Sequence, residues 1–211
     1  MVLAALGAVA AYGQTGLTDS LELRGVKTES VTYKGRQAVR VTGDPGVKDG
    51  EALAILKGET FKDGAIELWI SGEPTAGAGS GARGFVGVAF RVSPQGARYE
   101  AFYLRPTNGR ADDQVRRNHS AQYISHPDHP WFQLRKDFPE KYESYVDLVP
   151  GEWTRVKVEV RGKQARLFVN GAQQPTLIVN DLFLGEEGGG VAFWLGPGTL
   201  AHFADLKVTR Y

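Results

Sequence analysis

A strict alternation of apolar and charged residues is the feature that most constrains the fold of this chain. Residues 153–161, WTRVKVEVR, place a valine at every second position from Val156 to Val160, with charged residues between them. Because successive side chains of a strand point to opposite faces, this pattern is typical of a half-buried antiparallel strand. Residues 164–170 alternate again after a Gly-Lys turn, which predicts a β-hairpin.

The same period of two recurs along the chain, and no segment shows a sustained helical period. The 27 glycines and 10 prolines fall mostly between the alternating runs, as expected for the turns of a β-protein. We therefore expect an all-β fold, a sandwich of two packed antiparallel sheets. A length of 211 residues suits one core, so residues 14–211 are predicted to form a single domain. The other alternating runs are residues 37–42, 52–57, 64–71, 84–92, 98–105, 189–195 and 200–209.

Charge and cysteine content exclude several classes of protein. The 25 Lys and Arg residues against 24 Asp and Glu residues leave a net charge of +1, so no overall field attracts nucleic acid or an anionic membrane. The chain has no cysteine, which excludes disulfides, thiol nucleophiles and thiolate-bound zinc. The glycine-rich residues 72–84 are expected to be a flexible connection, and since they open no helix we expect no nucleotide ligand.

The amino-terminal residues form a short apolar run that ends in small residues. Within residues 1–13, Ala11 and Gly13 match the small-x-small pattern of a signal-peptidase site. The run is too short to span a bilayer, so no membrane insertion is expected. We interpret residues 1–13 as the remnant of a signal peptide, with an apolar first strand as the alternative. An exported protein without cysteine is expected in the bacterial periplasm or exterior.

One predicted central strand carries a pattern on both faces. In residues 84–92, Gly87, Ala89 and Arg91 share the face opposite the apolar one, and small residues followed by an arginine suit the floor of a groove. Trp69 lies on the outward face of an earlier predicted strand. Sugar rings stack on such aromatic side chains, although ordinary packing under loops is the alternative.

The next predicted strand, residues 98–105, is ambiguous. Tyr103 and Arg105 share one face, and Glu100 lies on the other. Either face could line the groove, so Tyr103, Arg105 and Glu100 are all candidate sugar-contacting residues.

The order of these motifs resembles a known superfamily. The strand ending in FRV is followed by YEAFYLRP, by the hairpin GEWTRVKVEVRGKQARLFVNG and by the closing segment GGGVAFWLGPGTLAHFADLKV. This succession resembles the concanavalin A-like lectin/glucanase superfamily and, within it, the 3-keto-disaccharide hydrolase domain family. The resemblance covers most of residues 37–210. It implies a concanavalin A-like jelly-roll sandwich that acts on oligo- or polysaccharides, without nucleic acid as a partner.

The resemblance also suggests site residues. Arg91 and Glu100 match the arginine and glutamate that line the groove in the family. The sequence departs from the family pattern where Phe85-Val86-Gly87 replaces an Asn-Ser-Gly lead, and where residues 105–150 form a long insertion. The ExDxE strand of the superfamily's glucanases is absent, which argues against their mechanism.

No cofactor is expected to be required, but the resemblance implies a possible structural calcium ion. The superfamily often carries calcium at a sheet edge, and Asp44, Asp49 and Asp205 are candidate ligands. His126 and His129 flank a Pro-Asp pair that could hold a transition metal or form a rigid turn.

The insertion begins with an unusual polar segment, RPTNGRADDQVRRNHSAQY at residues 105–123. Planar arginine forks bind carboxylates or vicinal hydroxyls at two points, and Asn, Asp and Gln supply the donors and acceptors that a sugar edge needs. The alternative is an ion-paired arch in which the two aspartates neutralise the arginines. The candidate residues of this segment are Arg105, Asn108, Arg110, Asp112, Asp113, Gln114, Arg116, Arg117, Asn118, His119 and Tyr123.

Three chemistries could use this segment, and we expect a glycoside hydrolase-like enzyme. Glycoside hydrolysis needs two carboxyl groups flanking the bond, and Glu100 with Asp112 or Asp113 could supply them. The second chemistry is a lyase reaction on uronic-acid glycans, in which His119 or Tyr123 abstracts the proton next to the sugar carboxylate. The third is a non-catalytic carbohydrate-binding module that holds sugar through its arginines and aromatic residues.

Overall fold

The computed structural model of this chain describes residues 9–11 and 16–211. Strands are the main regular structure of the described residues, which also contain two short α-helices, α1 (Gln114–Asn118) and α2 (Trp131–Asp137). The strands are β1 (Val9–Ala11), β2 (Leu21–Arg24), β3 (Val26–Tyr33), β4 (Arg36–Gly43), β5 (Leu53–Leu56), β6 (Gly64–Pro74), β7 (Val86–Val92), β8 (Tyr99–Leu104), β9 (Ala121–His126), β10 (Glu143–Ser144), β11 (Thr154–Arg161), β12 (Gln164–Val169), β13 (Leu177–Val179), β14 (Gly190–Leu195) and β15 (Thr199–Arg210).

The strands form two antiparallel sheets. Sheet I has the order β13-β12-β11-β6-β15-β4-β3, and β1 also pairs with β15. Sheet II has the order β10-β9-β8-β7-β14-β5-β2. Non-consecutive strands are neighbours in both sheets, as in a jelly-roll sandwich. The all-β, two-sheet fold predicted from the alternation is therefore confirmed.

Apolar side chains from the facing surfaces of the two sheets form the core. Phe193 of β14 stacks on Phe203 of β15, with ring centroids 4.2 Å apart. The predicted hairpin is present as β11 and β12, in which Val158 pairs with Leu167. Both residues are buried, because every second residue of these strands faces the opposite sheet.

The first described residues belong to sheet I. Val9–Ala11 pair with Thr209 to Lys207 of β15. The remainder of the predicted signal-peptide remnant, residues 1–8, 12 and 13, lies outside the described residues. Across residues 9–11 and 16–211, the structure has no helix with the length and apolar character needed to cross a bilayer.

The inserted residues 105–150 are partly regular. They contain α1, β9, α2 and β10, and the two strands continue sheet II beyond β8. Leu134, Tyr142 and Leu148 of the insertion are buried. The insertion therefore has apolar anchors of its own and forms a fixed wall beside the outward face of sheet II.

Candidate functional site

Two stacked aromatic rings form the floor of a pocket on the outward face of sheet II. Gly87 of β7 lies between Tyr103 of β8 and Trp194 of β14 in the strand register. The Tyr103 and Trp194 rings stack, with centroids 4.5 Å apart. A Cβ atom on Gly87 would lie 2.6 Å from the Tyr103 Cβ, so glycine is needed for the two rings to meet.

A cavity of about 520 Å³ opens above this floor. Its walls come from the connection before β7, from the insertion and α2, and from the loop that precedes β5. The lining includes four aromatic residues, four arginines and two aspartates. These are Phe85, Tyr103, Trp131 and Trp194, then Arg83, Arg105, Arg116 and Arg135, and finally Asp49 and Asp113; Asn108 and His119 complete the polar lining.

Arg105 is buried at the base of the pocket, where three hydrogen bonds hold its guanidinium group. Its guanidinium donates to the Tyr103 hydroxyl at 2.7 Å, to Gln122 Oε1 at 3.1 Å and to the His119 carbonyl at 2.9 Å. Asn108 Nδ2 also donates to the His119 carbonyl, at 3.1 Å. These contacts fix the base of the insertion to the floor of sheet II.

Two further arginines of the lining bond to neutral groups. Arg116 donates to Asn108 Oδ1 at 2.9 Å and to the Thr107 hydroxyl at 2.9 Å. Arg83 donates to the carbonyl of Ser80 at 2.6 Å. Partial burial lowers the pKa of Arg83, and the nearby charges of Arg116 and Arg105 lower it further. The pocket thus concentrates positive charge.

Trp131 lies between two of the guanidinium groups. The ring centroid is 4.9 Å from the Arg135 guanidinium carbon and 5.7 Å from that of Arg105. Trp131 is only half-buried, and its ring therefore offers an accessible apolar surface next to positive charge.

Glu143 of β10 is the buried counter-charge of this cluster. Arg135 binds it at two points, 2.9 Å and 2.6 Å. Its Oε2 is also 2.8 Å from His119 Nδ1 and 3.9 Å from the Arg105 guanidinium. Burial lowers the pKa of His119; Glu143 opposes that effect, and Arg135 and Arg105 reinforce it.

The two aspartates of the lining have different surroundings. Asp113 caps α1, because its Oδ1 accepts the backbone N–H of Arg116 at 2.8 Å. The Asp49 side chain is exposed, but neighbouring protein atoms partly desolvate its carboxyl group and raise its pKa, and the backbone N–H of Gly50 partly offsets the effect. The Asp49 carboxyl therefore carries a proton more readily than a fully solvated aspartate does.

No protein-family model and no curated protein matches this sequence. Solved structures do match it along most of its length. Carbohydrate-binding module CBM66 from Bacillus subtilis is 13% identical, with a TM-score of 0.52 over 89% of this chain and 97% of that one. A Bacillus subtilis protein with a galectin-like fold is 14% identical, with a TM-score of 0.54 over 92% and 90%. The chain has this sandwich fold.

An enzyme shares the fold as well. A β-1,3-1,4-glucanase (lichenase) from a mouse hindgut metagenome is 11% identical, with a TM-score of 0.53 over 96% of this chain and 98% of that one. At such low identity the likeness shows the fold alone. It confirms the architecture that the sequence resemblance implied, whereas membership of the 3-keto-disaccharide hydrolase domain family stays a prediction.

The structure brings together six of the fifteen residues predicted to catalyse or to bind sugar. Tyr103, Arg105, Asn108, Asp113, Arg116 and His119 all line the pocket. The face of β8 that carries Tyr103 is thus the one that meets the groove, which resolves the ambiguity of residues 98–105.

Other candidates of the inserted segment lie on its outer side. Arg110 forms a two-point ion pair with Asp147, at 2.7 Å and 2.9 Å, and Arg117 donates to the Tyr145 hydroxyl. The arginines of the predicted arch therefore do not pair with aspartates 112 and 113 as expected, but with other side chains. Asp112, Gln114 and Asn118 are exposed, and the last two bond to each other.

Arg91 and Glu100 lie between the sheets and not in the groove, which corrects the assignment that the resemblance implied. Arg91 has a positive φ of 53° where the register of β7 and β14 shifts, so its side chain leaves the face shared by Gly87 and Ala89. Its guanidinium donates to the carbonyls of Gly185 and Gly162.

Glu100 is fully buried on the inward face of β8, with 0% of its surface exposed. It is 3.4 Å from the Arg91 guanidinium and accepts a hydrogen bond from Tyr123 at 2.8 Å. Tyr123 is also buried. In this fold, neither Glu100 nor Tyr123 can contact a sugar in the pocket, so the assignments of both to the site are corrected.

Trp69 and the proposed calcium ligands are also separated. Trp69 lies on the outer face of sheet I under the Arg36 guanidinium, 4.0 Å from its ring centroid. Asp205 pairs with Arg36 on the same face, whereas Asp49 lines the pocket on sheet II. The structure therefore does not join Asp205 and Asp49 in one site with Asp44, and no group of three or more metal-binding side chains occurs among residues 9–11 and 16–211.

Several pocket residues were not identified from the sequence. Trp131 and Arg135 are four residues apart on α2, so the helical spacing after Pro130 could have placed them on one face. Trp194 shares the alternation of β14 with the buried Phe193 and was detectable as its outward neighbour. Glu143 could not be identified from the residues around it in the sequence, because its partners lie on other elements of the insertion and at the end of β8.

Proposed function

We propose that this protein binds an acidic carbohydrate, a glycan that contains uronic acid, in the pocket on sheet II. The observation that carries the proposal is the combination of four guanidinium groups with four aromatic side chains around one cavity. Sugar rings present apolar C–H faces that pack on aromatic rings. Arginine forks bind a carboxylate at two points, which a neutral sugar cannot match.

The balance of charge supports an anionic ligand. Four guanidinium groups surround the pocket with three carboxyl groups, those of Asp49, Asp113 and Glu143, so positive charge is in excess. The guanidinium groups of Arg105 and Arg135 share the Glu143 carboxylate. Arg116 and Arg83 bond to neutral oxygen atoms, so their charges remain available to a ligand. A carboxylate that enters the pocket would form charge-assisted hydrogen bonds in a partly desolvated site, where they are strongest.

Hydrolysis of such a glycan is a second candidate function. Asp49 and Asp113 are two carboxyl groups on the lining, and partial desolvation raises the pKa of Asp49 in the direction that a general acid requires. In this proposal they replace the pair that included Glu100. Alanine variants of Asp49 and Asp113 that still release new reducing ends would exclude it.

Calorimetric titration with two oligosaccharides of equal length tests the proposed binding. We expect an oligouronide to bind, with affinity that falls as salt rises, and the matching neutral oligosaccharide to bind at least tenfold more weakly. Arg83→Gln should weaken oligouronide binding at least tenfold, since a charge-assisted hydrogen bond contributes about 1.5–3 kcal/mol.

The matched control is Arg110→Gln, which removes an arginine of the insertion that pairs with Asp147 on the outer side. Its affinity should equal that of the unaltered protein. Equal binding of neutral and acidic oligosaccharides, or no binding of either, would contradict the proposal. An exported location would suit a site for extracellular glycans, and it remains a proposal from the amino-terminal run.

A further inference from the structure

We propose that His119, oriented by Glu143, accepts a proton from the bound sugar, so that the pocket cleaves uronic-acid glycans by β-elimination. The inference rests on the proposed function, because it requires a uronate in the pocket. It adds a reaction and a catalytic residue to that function.

The position of the His119 ring supports this role. Nδ1 is buried and lies 2.8 Å from Glu143 Oε2, while the side chain keeps 18% of its surface exposed and lines the cavity. The exposed surface of the ring therefore belongs to its other atoms. The negative charge of Glu143 next to Nδ1 favours the tautomer with the proton on that nitrogen, which leaves the lone pair on Nε2.

Glu143 is held in a fixed orientation. Both of its oxygen atoms accept hydrogen bonds from Arg135, and its side chain is only 3% exposed. Two-point binding by a guanidinium fixes the plane of the carboxylate. The distance between Glu143 and His119 is therefore set by the fold rather than by a mobile side chain.

The main chain at His119 is anchored independently of the ring. Its carbonyl accepts hydrogen bonds from Arg105 at 2.9 Å and from Asn108 at 3.1 Å. These two bonds suffice to hold the end of α1 against the floor. An imidazole at this position is therefore not needed to hold the backbone, and its orientation against a buried carboxylate requires another explanation.

The surroundings also keep the imidazole neutral. Burial is the main cause of the lowered pKa of His119, and the charges of Arg135 and Arg105 act in the same direction against Glu143. A neutral imidazole can accept a proton at neutral pH. Arg83 and Arg116, which bond to neutral oxygen atoms, would neutralise the carboxylate of the sugar and thereby make its α-proton more acidic.

The reaction balances without an oxidant or a cofactor. Nε2 of His119 takes the proton from C5 of the uronate, and the electron pair of that C–H bond forms the C4=C5 double bond. The bond between C4 and the glycosidic oxygen breaks, the leaving oxygen takes a proton from water, and the hydroxide that remains takes the proton from Nε2 of His119. The products are a new reducing end and an unsaturated uronate, which absorbs ultraviolet light.

The test follows ultraviolet absorbance while the protein is incubated with an oligouronide. We expect the unaltered protein to form unsaturated product. His119→Gln should lose at least 100-fold in rate, a typical loss for a general base, and should bind the oligouronide within threefold of the unaltered affinity. His129→Gln is the control, because this histidine stacks on Phe183 away from the pocket lining.

Glu143→Gln tests the positioning role through the pH profile. Since Glu143 raises the pKa of His119, its removal should move the acidic limb of the rate profile to lower pH and also reduce the maximal rate. A purely structural role for Glu143 would lower the melting temperature without moving that limb. An unmoved limb in a folded variant would overturn its assigned role.

The outcomes separate this inference from the proposed function. Binding of the oligouronide with no unsaturated product would overturn the elimination and leave the binding proposal intact, whereas absence of binding would overturn both. Full activity in His119→Gln would also overturn it. If that variant does not fold, the pH dependence of the rate in the unaltered protein tests the inference. A rate that does not decrease at acidic pH, where the imidazole becomes protonated, would contradict a histidine base.

Discussion

Replacement of Glu100 by alanine should destabilise the sandwich and leave ligand binding unchanged. The carboxylate of Glu100 accepts hydrogen bonds from the Tyr123 hydroxyl at 2.8 Å and from the Leu184 backbone N–H at 3.1 Å. It also pairs with Arg91 at 3.4 Å, and neither side chain is exposed. Alanine would leave a buried guanidinium without its nearest carboxylate.

The expected loss follows from these contacts. Removal of one partner of a buried ion pair typically costs about 3–5 kcal/mol. Arg91 keeps hydrogen bonds to the carbonyls of Gly185 at 2.5 Å and Gly162 at 2.6 Å, and Asp63 lies 3.6 Å away. These contacts reduce the loss, so we expect the free energy of unfolding to fall by about 3 kcal/mol.

Urea unfolding, followed by tryptophan fluorescence, measures the loss, and calorimetric titration with the oligouronide measures binding. Pairing Glu100→Ala with Arg91→Met should recover part of the stability, because the isolated charge is then gone. A variant with unaltered stability and lost binding would refute the reasoning, since it would place Glu100 in the sugar site.

Three further perturbations test other parts of the structure. Burial and the charge of Arg40 lower the pKa of His202 from 6.5 to about 4 in the folded protein. As the pH decreases from 6.5 to about 4, the unfolded chain therefore binds a proton at His202 and the folded protein does not, so the free energy of unfolding falls. At about 1.36 kcal/mol per pKa unit, this decrease in the free energy of unfolding approaches about 3 kcal/mol. Urea unfolding at neutral and at acidic pH measures it, and the decrease should be smaller by that amount in His202→Gln. Gly87→Ala should lower the free energy of unfolding by about 1–3 kcal/mol, because the added Cβ would lie 2.3 Å from the Phe102 carbonyl; a melting temperature equal to that of the unaltered protein would contradict this. Trp69→Ala should leave the oligouronide affinity unchanged in the same calorimetric assay, because Trp69 lies on the outer face of sheet I; a weakened affinity would show that the site extends there.

The fold could be predicted because its signal is local and repeated. Each strand of a half-buried sheet must alternate, and β11 with β12 shows this period in the sequence alone. The order of strands was accessible only through the resemblance, because pairing between distant strands such as β6 and β15 leaves no trace in either segment.

The site was predicted in part, and the error at Arg91 has a clear physical cause. The polar segment after β8 was expected to contribute to a site, and the structure places His119 and Arg116 on the lining of the pocket. Strict alternation then placed Arg91 in the groove, but one residue with a positive φ at a register shift redirects its side chain into the interior. A bulge of this kind turns a side chain to the opposite face of the sheet, although the alternation of residue types in the sequence is unchanged.

The buried anchors of residues 105–150 also affect the thermodynamics of recognition. Leu134 and Tyr142 hold this wall in the folded core, and Arg105 is already hydrogen bonded before any ligand arrives. Little conformational entropy should therefore be lost when a sugar enters, unlike sites that fold around their ligand. Binding should therefore show a smaller heat-capacity change than binding of equal affinity at a site that folds around its ligand. Hydrogen exchange should slow only for amides that border the pocket.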